Sequence, residues 1–216
     1  MPCPYPIIRE PPGNRSWKMN SSSPVLSKTI RTAPLWENGG SAPAGTWTPS
    51  SVTVGTSIGG AFIEKGHILH GAGRAAGEIA YMRVPAGRLH DVASATYLCR
   101  EMACKKAADP KKVDGHTCFA WVRQGDATAA AVLDTFCQNL ADGLANIACL
   151  CNPDGIVLGG GIMAQEDILR PKLEQALAAR LPTMMLPPKG LAFAKRQNDA
   201  GMLGALYLLL HRKGHY

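Results

Sequence analysis

Two short β-type runs in this sequence each lead directly into a glycine-rich turn, about a hundred residues apart along the chain. Ser51–Val54 precedes Gly55-Thr56, and Gly155–Leu158 precedes Gly159-Gly160-Gly161. Because glycine has no Cβ, backbone N–H groups at such a turn can come close to an anion. Neither run matches a Walker A or a G-x-G-x-x-G sequence, and each alone is more typical of a plain tight turn than of a phosphate-binding loop. The pair predicts two loops that embrace one nucleotide.

The longest helical pattern covers Asp126–Cys151. Its apolar residues recur at helical spacing and form one stripe: Val132, Leu133, Phe136, Leu140, Leu144, Ile147 and Ala148. Shorter patterns predict strands at Ile79–Val84 and Leu191–Lys195, a hairpin over Ala61–Leu69 with Lys65-Gly66 near its turn, and helices at Asp91–Ala108 (with Asp91 as N-cap), His116–Arg123, Asp167–Leu181 and Ala200–His211. Strands and helices alternate, which predicts an α/β or α+β fold with a mixed sheet.

Residues 1–50 differ in character from the rest of the chain. They contain nine of the sixteen prolines and a Ser run at Ser21–Ser23, and they show no sustained periodicity. Repeated X-Pro steps interrupt any regular element. The sequence therefore predicts an irregular, poorly ordered arm over 1–50 and a folded domain over 51–216.

The composition excludes several classes of protein. Hydrophobic residues make up 46% and charged residues 18% of the 216, which is typical of a soluble globular chain. No apolar run reaches the ~20 residues of a membrane helix, and Met1–Pro12 has no apolar core of a signal peptide. Seven cysteines are an odd number, which excludes a complete disulfide framework and favours a reducing compartment. A net charge of +7 permits anion or nucleic-acid binding without establishing it.

The cysteines and histidines give no metal-binding pattern. Cys149 and Cys151 are one residue apart on a predicted helix, so their side chains point in opposite directions, whereas a zinc site brings thiolates together. We interpret these two, and likewise Cys99 and Cys104, as small buried hydrophobic residues. The single histidines are interpreted as surface or structural residues: His67, His70, His90 and His116.

Two residues that follow a further glycine- and alanine-rich loop, Gly71–Gly77, could contact a ligand. Glu78 lies between that loop and a predicted strand, where a carboxylate could accept hydrogen bonds from sugar hydroxyls or could be an ordinary surface group. Tyr81 follows three residues later and could pack over a ligand or fill the core.

Four segments, in order and spacing, resemble the ROK family of repressors and sugar kinases. Val52–Ala61 resembles the family's second phosphate loop, with Ser57 in place of a glycine. Gly73–Met82 is similar to its sugar-binding segment, Asn152–Ile162 to its adenosine-side motif, and Asn198–Ala205 to its C-terminal helix motif. The resemblance covers residues 51–211 and is closest to the zinc-free, β-glucoside kinase-like branch.

The resemblance implies an actin-like (ribonuclease H-like) ATPase fold and transfer of the γ-phosphoryl group of ATP, with Mg²⁺, to a sugar hydroxyl. It places Gly55, Thr56, Gly59, Gly60, Gly159, Gly160 and Gly161 in the nucleotide site, and Glu78 and Tyr81 in the sugar site. It further implies a sugar as partner and a homodimer. No nucleic-acid partner is expected, because the positive charge of residues 1–50 is modest, and no membrane partner is expected, because the sequence has no long apolar run; a cytoplasmic protein is predicted.

The departures from the family pattern are as informative as the matches. Tyr81 stands where most zinc-bearing members have a histidine, and no cysteine cluster follows Met82, so no zinc is expected. The first phosphate loop, Asp-x-Gly-Gly-Thr, is absent from the sequence. Glu37–Gly40 lies near the expected catalytic position but lacks the aspartate, so no catalytic base is assigned and the N-terminal domain is expected to be missing.

Three functions are therefore compatible with the sequence. The first is an ATP-dependent kinase for a hexose or β-glucoside, or the C-terminal domain of one. The second is a sugar-responsive transcriptional regulator of the same family, although residues 1–50 show no helix-turn-helix periodicity. The third is a non-catalytic fragment, inactive because the base is absent.

Overall fold

The computed structural model describes residues 49–64 and 67–194, and their elements form a five-stranded main sheet with helices packed on it and a separate two-stranded sheet. The strands are β1 (Ser50–Val54), β2 (Ile58–Glu64), β3 (His67–Ile68), β4 (Arg83–Val84), β5 (Gly87–Arg88), β6 (Ile156–Gly159) and β7 (Leu191–Phe193). The helices are α1 (Leu89–Ala93), α2 (Ala95–Lys105), α3 (Gly115–Arg123), α4 (Ala127–Cys151) and α5 (Glu166–Ala178), with single 3₁₀ turns at Ile79–Tyr81, Pro110–Lys112, Gly161–Ala164 and Thr183–Met185.

The main sheet is mixed and has the strand order β3-β2-β1-β6-β7. The first three strands form an antiparallel meander, in which Val54 pairs with Ile58 across a short turn. The chain then adds β6 parallel to β1 and β7 parallel to β6. The parallel part of the sheet needs long crossovers, and the helices supply them.

Helix α4 is the central element of the core. The whole apolar stripe predicted from the sequence is buried, and Leu133, Phe136, Leu140 and Leu144 have no exposed surface. Asp126 accepts a hydrogen bond from the Ala129 backbone N–H at 2.8 Å as N-cap, and Asn152 ends the helix in a left-handed conformation. Neither α4 nor any other helix of the described residues is long and apolar enough to cross a membrane.

Helices α4 and α5 run side by side in the same direction. Lys172 Nζ lies 2.5 Å from Asp134 Oδ1, and Arg180 pairs with Asp142. Both pairs join residues 38 positions apart, and an equal separation at two points along the helices means that the helices are parallel. Such partly exposed pairs contribute little stability, so the buried leucines of the two helices hold this layer on the sheet.

Most predicted elements are confirmed within one to three residues at each end. The strand at Ser51–Val54, the antiparallel pairing over Ala61–Leu69, and the helices predicted at His116–Arg123, Asp126–Cys151 and Asp167–Leu181 are all present. Residues 1–48, Lys65-Gly66 and 195–216 lie outside the described residues. Three expectations therefore stay predictions: the irregular arm over 1–50, of which only the last two residues are described, the hairpin turn near Lys65-Gly66, and the helix Ala200–His211. The boundary between residues 50 and 51 also stays a prediction.

Two predictions in the middle of the chain are wrong. Asp91–Ala108 is two helices, because Ser94 is extended and its side chain accepts a hydrogen bond from the Tyr97 backbone N–H at 3.1 Å to cap the second. Asp91 lies inside the first helix and pairs with Arg88 instead of capping. Ile79–Val84 is a 3₁₀ turn followed by a two-residue strand.

That 3₁₀ turn is positioned by a close contact between two glycines. The Gly60 backbone N–H donates to the Gly77 carbonyl oxygen at 2.8 Å. Gly77 has a φ of +88°, and a Cβ on it would overlap the Gly60 carbonyl oxygen. Ile79 packs over Gly60, since a Cβ there would lie 3.0 Å from Ile79 Cδ1. Both glycines are needed for the segment to lie flat on β2.

We expect Asp126→Ala to lower the Tm at pH 7, because it removes the N-cap of α4 and the ion pair with Lys106. The Lys106 ammonium, followed by the Ala129 N–H, holds the pKa of Asp126 below its usual value. A depressed folded-state pKa stabilises the protein above the unfolded pKa of ~3.9, and that stability is lost as the pH falls through the folded value. The Tm difference should persist down to about pH 4 and shrink below it. Asp126→Asn, which retains an acceptor, should show a smaller loss; equal Tm values for all three proteins at pH 7 would contradict this role.

We expect Gly77→Ala to lower the free energy of unfolding by roughly 2–4 kcal/mol, because it combines a left-handed backbone with a steric overlap. Urea denaturation measures this change. Gly73→Ala is the matched control: it lies in the same loop, and no atom is within 4 Å of its added Cβ. Equal losses for the two variants would show that the contact with Gly60 does not hold the segment.

Candidate functional site

The two glycine turns lie at the same edge of the sheet because their strands are parallel neighbours. Thr53 of β1 is aligned with Gly159 of β6, so both strands end at this edge. On the other side of β1, Thr53 is aligned with Gly59 of β2. The carboxyl ends of parallel strands are where ligands bind in open α/β sheets. The sheet topology thus brings together two motifs that are about a hundred residues apart.

A cavity of about 220 Å³ opens between the two turns. One turn contributes Gly55 and the other contributes Gly161. A Cβ on Gly161 would meet no atom within 4 Å, so this glycine borders open space. The full lining is Gly55, Ala95, Gly115, His116, Phe119, Gly161, Ile162 and Gln165.

Two helices begin at this cavity. Ala95 is the first residue of α2, and Gly115 is the first residue of α3. The unpaired N–H groups of a helix N-terminus carry partial positive charge and favour anions. Asp114 caps α3, and its Oδ1 accepts hydrogen bonds from the Thr117 N–H at 2.8 Å and the Thr117 hydroxyl at 2.7 Å. These bonds hold the pKa of Asp114 below its usual value, so its negative charge offsets part of the anion preference at α3.

The first turn is attached to α2 by two hydrogen bonds. The Ala95 N–H donates to the Gly55 carbonyl oxygen at 2.9 Å, and the Thr96 hydroxyl donates to the Thr56 carbonyl oxygen at 2.9 Å. Within the turn, the Gly55 N–H donates to the Ser57 carbonyl oxygen at 2.9 Å. Thr56 and Ser57 remain exposed. The turn is therefore a hydrogen-bonded loop with two exposed hydroxyl side chains.

The structure separates the predicted glycines into two groups. Gly55 and Gly161 line the cavity, whereas Gly59 and Gly60 are buried inside β2 and Gly159 is buried at the end of β6. In the segment Val52–Ala61, which resembles a phosphate loop, only Gly55–Ser57 is a turn, because β2 already begins at Ile58. Gly160 has a φ of +104°, and a Cβ on it would overlap the Val54 carbonyl oxygen, so it allows β6 to turn against the end of β1. Direct ligand contacts by these residues stay predictions.

Glu78 and Tyr81 are both exposed, on either side of two buried residues. Ile79 and Ala80 between them are buried, whereas Glu78 is exposed and Tyr81 is 66% exposed. In a 3₁₀ turn, residues three apart lie on the same face, whereas in the predicted strand they would face opposite sides. The turn thus corrects the predicted local structure while bringing the two predicted sugar residues onto one surface.

Most residues of the cavity wall were not predicted from the sequence. His116 was interpreted as surface or structural, and Phe119, Ile162, Gln165 and Ala95 were not singled out, yet all five line the cavity. An available signal was the helix start at Asp114-Gly115, since helix N-termini often face ligands. Nothing in the sequence indicated that α2 and α3 would both begin at the same place.

A second cavity, of about 630 Å³, lies between α2 and α4 and contains none of the predicted residues. Its lining includes Tyr97, Glu101, Lys105 and Thr135, and no glycine turn or helix N-terminus faces it except the start of α4 at Ala127-Thr128. We favour the smaller cavity as the functional site because two glycine turns and two helix starts converge on it.

The metal-ligating residues of the described part of the chain are dispersed. No three His, Cys, Asp or Glu side chains within residues 49–64 and 67–194 lie close enough to hold a metal ion. Whether zinc is absent from the protein stays a prediction.

The interpretation of the cysteines as buried is wrong for Cys149, which is exposed because it lies beyond the apolar stripe on the last turn of α4. Cys99 and Cys151 are half-buried, and so is Cys104, which is disulfide-bonded and therefore not a simple hydrophobic residue.

Related sequences agree with the resemblance found in the motifs. An uncharacterised protein of Clostridium perfringens is 40% identical over 182 residues, which are 84% of this chain and 62% of that protein. A glucokinase of Halalkalibacterium halodurans is 30% identical, over 73% of this chain and 54% of its own length. A β-glucoside kinase of Listeria monocytogenes is 28% identical, over 76% and 57%. The chain thus spans between 54% and 62% of the length of these relatives.

Solved structures show the same fold. A ROK family glucokinase from Streptomyces griseus in complex with glucose and AMPPNP superimposes with a TM-score of 0.69 at 21% identity, over 86% of this chain and 67% of that one. A ROK family protein from Streptococcus pneumoniae in complex with sucrose gives 0.73 at 23% identity, over 86% and 66%. The fold is the predicted actin-like ATPase fold, with a mixed sheet and flanking helices.

The family assignment rests on the extent of the sequence match. The sequence model of the ROK family matches residues 25–212, which is most of the chain and begins within the segment expected to be an irregular arm. The four motifs that carry the resemblance all lie inside this range. The chain belongs to the ROK family.

Proposed function

We propose that this chain binds ATP in the cavity between its two glycine turns and that the whole protein transfers the γ-phosphoryl group to a sugar hydroxyl. The single observation that carries the proposal is the convergence of Gly55 and Gly161 on one cavity, beside the first residues of α2 and α3. A nucleotide needs such a place, where backbone N–H groups approach phosphate without an intervening Cβ. The ROK glucokinase of the same fold holds AMPPNP and glucose.

Each wall of the cavity has a distinct task in this proposal. The turn Gly55–Ser57 and the N-termini of α2 and α3 face the phosphates, because they offer N–H groups, hydroxyls and partial positive charge. Phe119 and Ile162 are the apolar part of the wall and pack against the adenine ring of ATP. Gly160 and Gly161 keep the backbone close to the ligand. ATP with Mg²⁺ would supply the phosphoryl group.

The sugar lies against Glu78 and Tyr81 in this proposal. The carboxylate of Glu78 can accept hydrogen bonds from two hydroxyls, and the exposed ring of Tyr81 offers an apolar face to a sugar ring. Their placement on one face of the 3₁₀ turn supports a shared ligand. The segment is held by the Gly60–Gly77 hydrogen bond, so its position relative to β2 is fixed.

The chemistry still requires a carboxylate base that accepts the hydroxyl proton. The cavity lining contains no Asp or Glu, and Glu37–Gly40 lies outside the described residues. We therefore assign nucleotide and sugar contacts to the described residues and leave the base to another part of the protein. The same observation is what the non-catalytic alternative predicts.

The remaining properties follow from the family. We propose a zinc-free cytoplasmic enzyme that forms a homodimer and binds no nucleic acid. The fold alone does not separate kinases from regulators, because a ROK family transcriptional regulator also shares it, with a TM-score of 0.67 at 20% identity. The regulator alternative requires DNA binding, which a mobility-shift assay at low salt measures.

We expect Gly161→Ala to weaken binding of Mg-ATP by at least ~10-fold, about 1.4 kcal/mol, without lowering the Tm. The reason is that its Cβ would enter open space in the cavity and would contact no other atom of the described protein within 4 Å. Isothermal titration calorimetry of the full chain measures the affinity. Gly73→Ala, outside the cavity, is the control and should bind as the parent does. Unchanged binding by Gly161→Ala, or no binding by the parent chain, would contradict the proposed site.

We expect Glu78→Ala to abolish sugar-dependent ADP formation while leaving Mg-ATP binding intact, because Glu78 does not line the nucleotide cavity. A coupled ADP assay with a panel of hexoses and β-glucosides measures the first property, and calorimetry the second. If the parent chain binds ATP yet forms no ADP with any sugar, the non-catalytic alternative is correct for this chain. Full activity in Glu78→Ala would remove Glu78 from the sugar site.

A further inference from the structure

Two cysteines of neighbouring helices lie in contact beside the cavity. Cys99 is on α2 and Cys118 is on α3, and their Sγ atoms are 3.9 Å apart. In the described structure both are thiols, and Cys118 donates a hydrogen bond to Cys99. To form a bond, the two sulfur atoms need to approach from 3.9 Å to ~2.05 Å.

The surroundings of the two thiols make them chemically unequal. The hydrogen bond from Cys118 lowers the pKa of Cys99, which is half-buried and so accessible to small molecules. The pKa of Cys118 is raised, because its proton is engaged with Cys99 and its side chain is buried. A partly exposed thiol with a lowered pKa is the more reactive nucleophile. A buried thiol in contact with it can act as the resolving partner.

We propose that Cys99 and Cys118 form an oxidisable dithiol, which a peroxide converts to a disulfide that joins α2 to α3. The Cys99 thiolate attacks one peroxide oxygen, the O–O bond breaks, and hydroxide leaves, which gives a sulfenic acid on Cys99. The Cys118 sulfur then attacks the Cys99 sulfur, the S–O bond breaks, and the displaced hydroxide and the Cys118 proton form water. Two thiols are oxidised, and one peroxide is reduced to two waters.

The disulfide would act on the nucleotide cavity through both helices. Four residues before Cys99, Ala95 lines the cavity and binds the Gly55 turn. Directly after Cys118, Phe119 lines the same cavity. Bringing the two sulfur atoms together therefore moves α2 and α3 relative to each other at the place where both form the cavity.

Peptide mapping of the full chain tests the dithiol directly. The reduced protein is treated with hydrogen peroxide, blocked with N-ethylmaleimide, and digested with trypsin without reduction. Cleavage after Arg88, Arg100, Lys112 and Arg123 gives peptides 89–100 and 113–123, each of which has one cysteine. We expect a cross-linked species that is two hydrogens lighter than the sum of these peptides and that disappears on reduction. Recovery of peptide 113–123 only in the maleimide-blocked form would overturn the proposal.

Two variants separate this pair from general cysteine oxidation. Cys118→Ala should leave Cys99 without its resolving partner, so that peptide 89–100 accumulates sulfinic acid instead of the cross-link. Cys137→Ala is the matched control, because Cys137 is a buried cysteine on α4 whose pKa burial raises to about 12. It should leave the cross-link unchanged. A cross-link between Cys99 and a different cysteine in the parent protein would also overturn the assignment.

Calorimetry with Mg-ATP tests the effect of the disulfide on the cavity, and this measurement rests on the proposed function. We expect the oxidised chain to bind at least ~5-fold more weakly than the reduced chain, because the cavity wall has moved. Equal affinities would show that the disulfide does not control the cavity. If the reduced chain does not bind ATP at all, the proposed function fails, while peptide mapping still decides whether the dithiol exists.

Discussion

The parallel pairing of β1 with β6 is the interaction on which the rest of the structure depends. It aligns Thr53 with Gly159 and so ends both strands at one edge of the sheet. Every feature of the candidate site follows from this alignment. Gly160 can turn against Val54 only because the strands end together, and α2 is joined to the Gly55 turn that the pairing places there. A shift of two residues along this ladder would move one turn by roughly 6–7 Å away from the other.

The fold could be predicted largely from local pattern. Helix α4 has 25 residues with an uninterrupted apolar stripe, and a pattern of that length leaves little room for another interpretation. Short segments were less well determined. Ile79 and Tyr81 suit a strand, yet Ile79–Tyr81 forms a 3₁₀ turn because Ile79 packs onto Gly60 and Gly77 approaches the same glycine. That contact is tertiary, and no window of sequence around residue 79 contains it.

The candidate site was also predictable only where it depends on local sequence and not on tertiary contacts. Both glycine turns could be predicted, because a tight turn needs residues without a Cβ and the glycines are visible in the sequence. The walls between them come from α2 and α3, whose starting points depend on how two helices pack. Ser94 illustrates the difficulty, because one extended residue divides what the sequence pattern suggested was a single helix. The division provides a second helix N-terminus at the cavity, and its capping hydroxyl is the only local sign of it.

The long separation between β1 and β6 has a consequence for how this site tolerates variation. About a hundred residues form the loop that their pairing closes, and the entropy of closing a loop grows only with the logarithm of its length. Doubling that length would cost about 0.6 kcal/mol, less than one good hydrogen bond contributes. Segments on the surface of the intervening helical layer can therefore lengthen or shorten at little thermodynamic cost. The edge of the sheet that carries the two glycine turns is insulated from such changes, because its geometry is set by the strand ladder and not by the length of the connection.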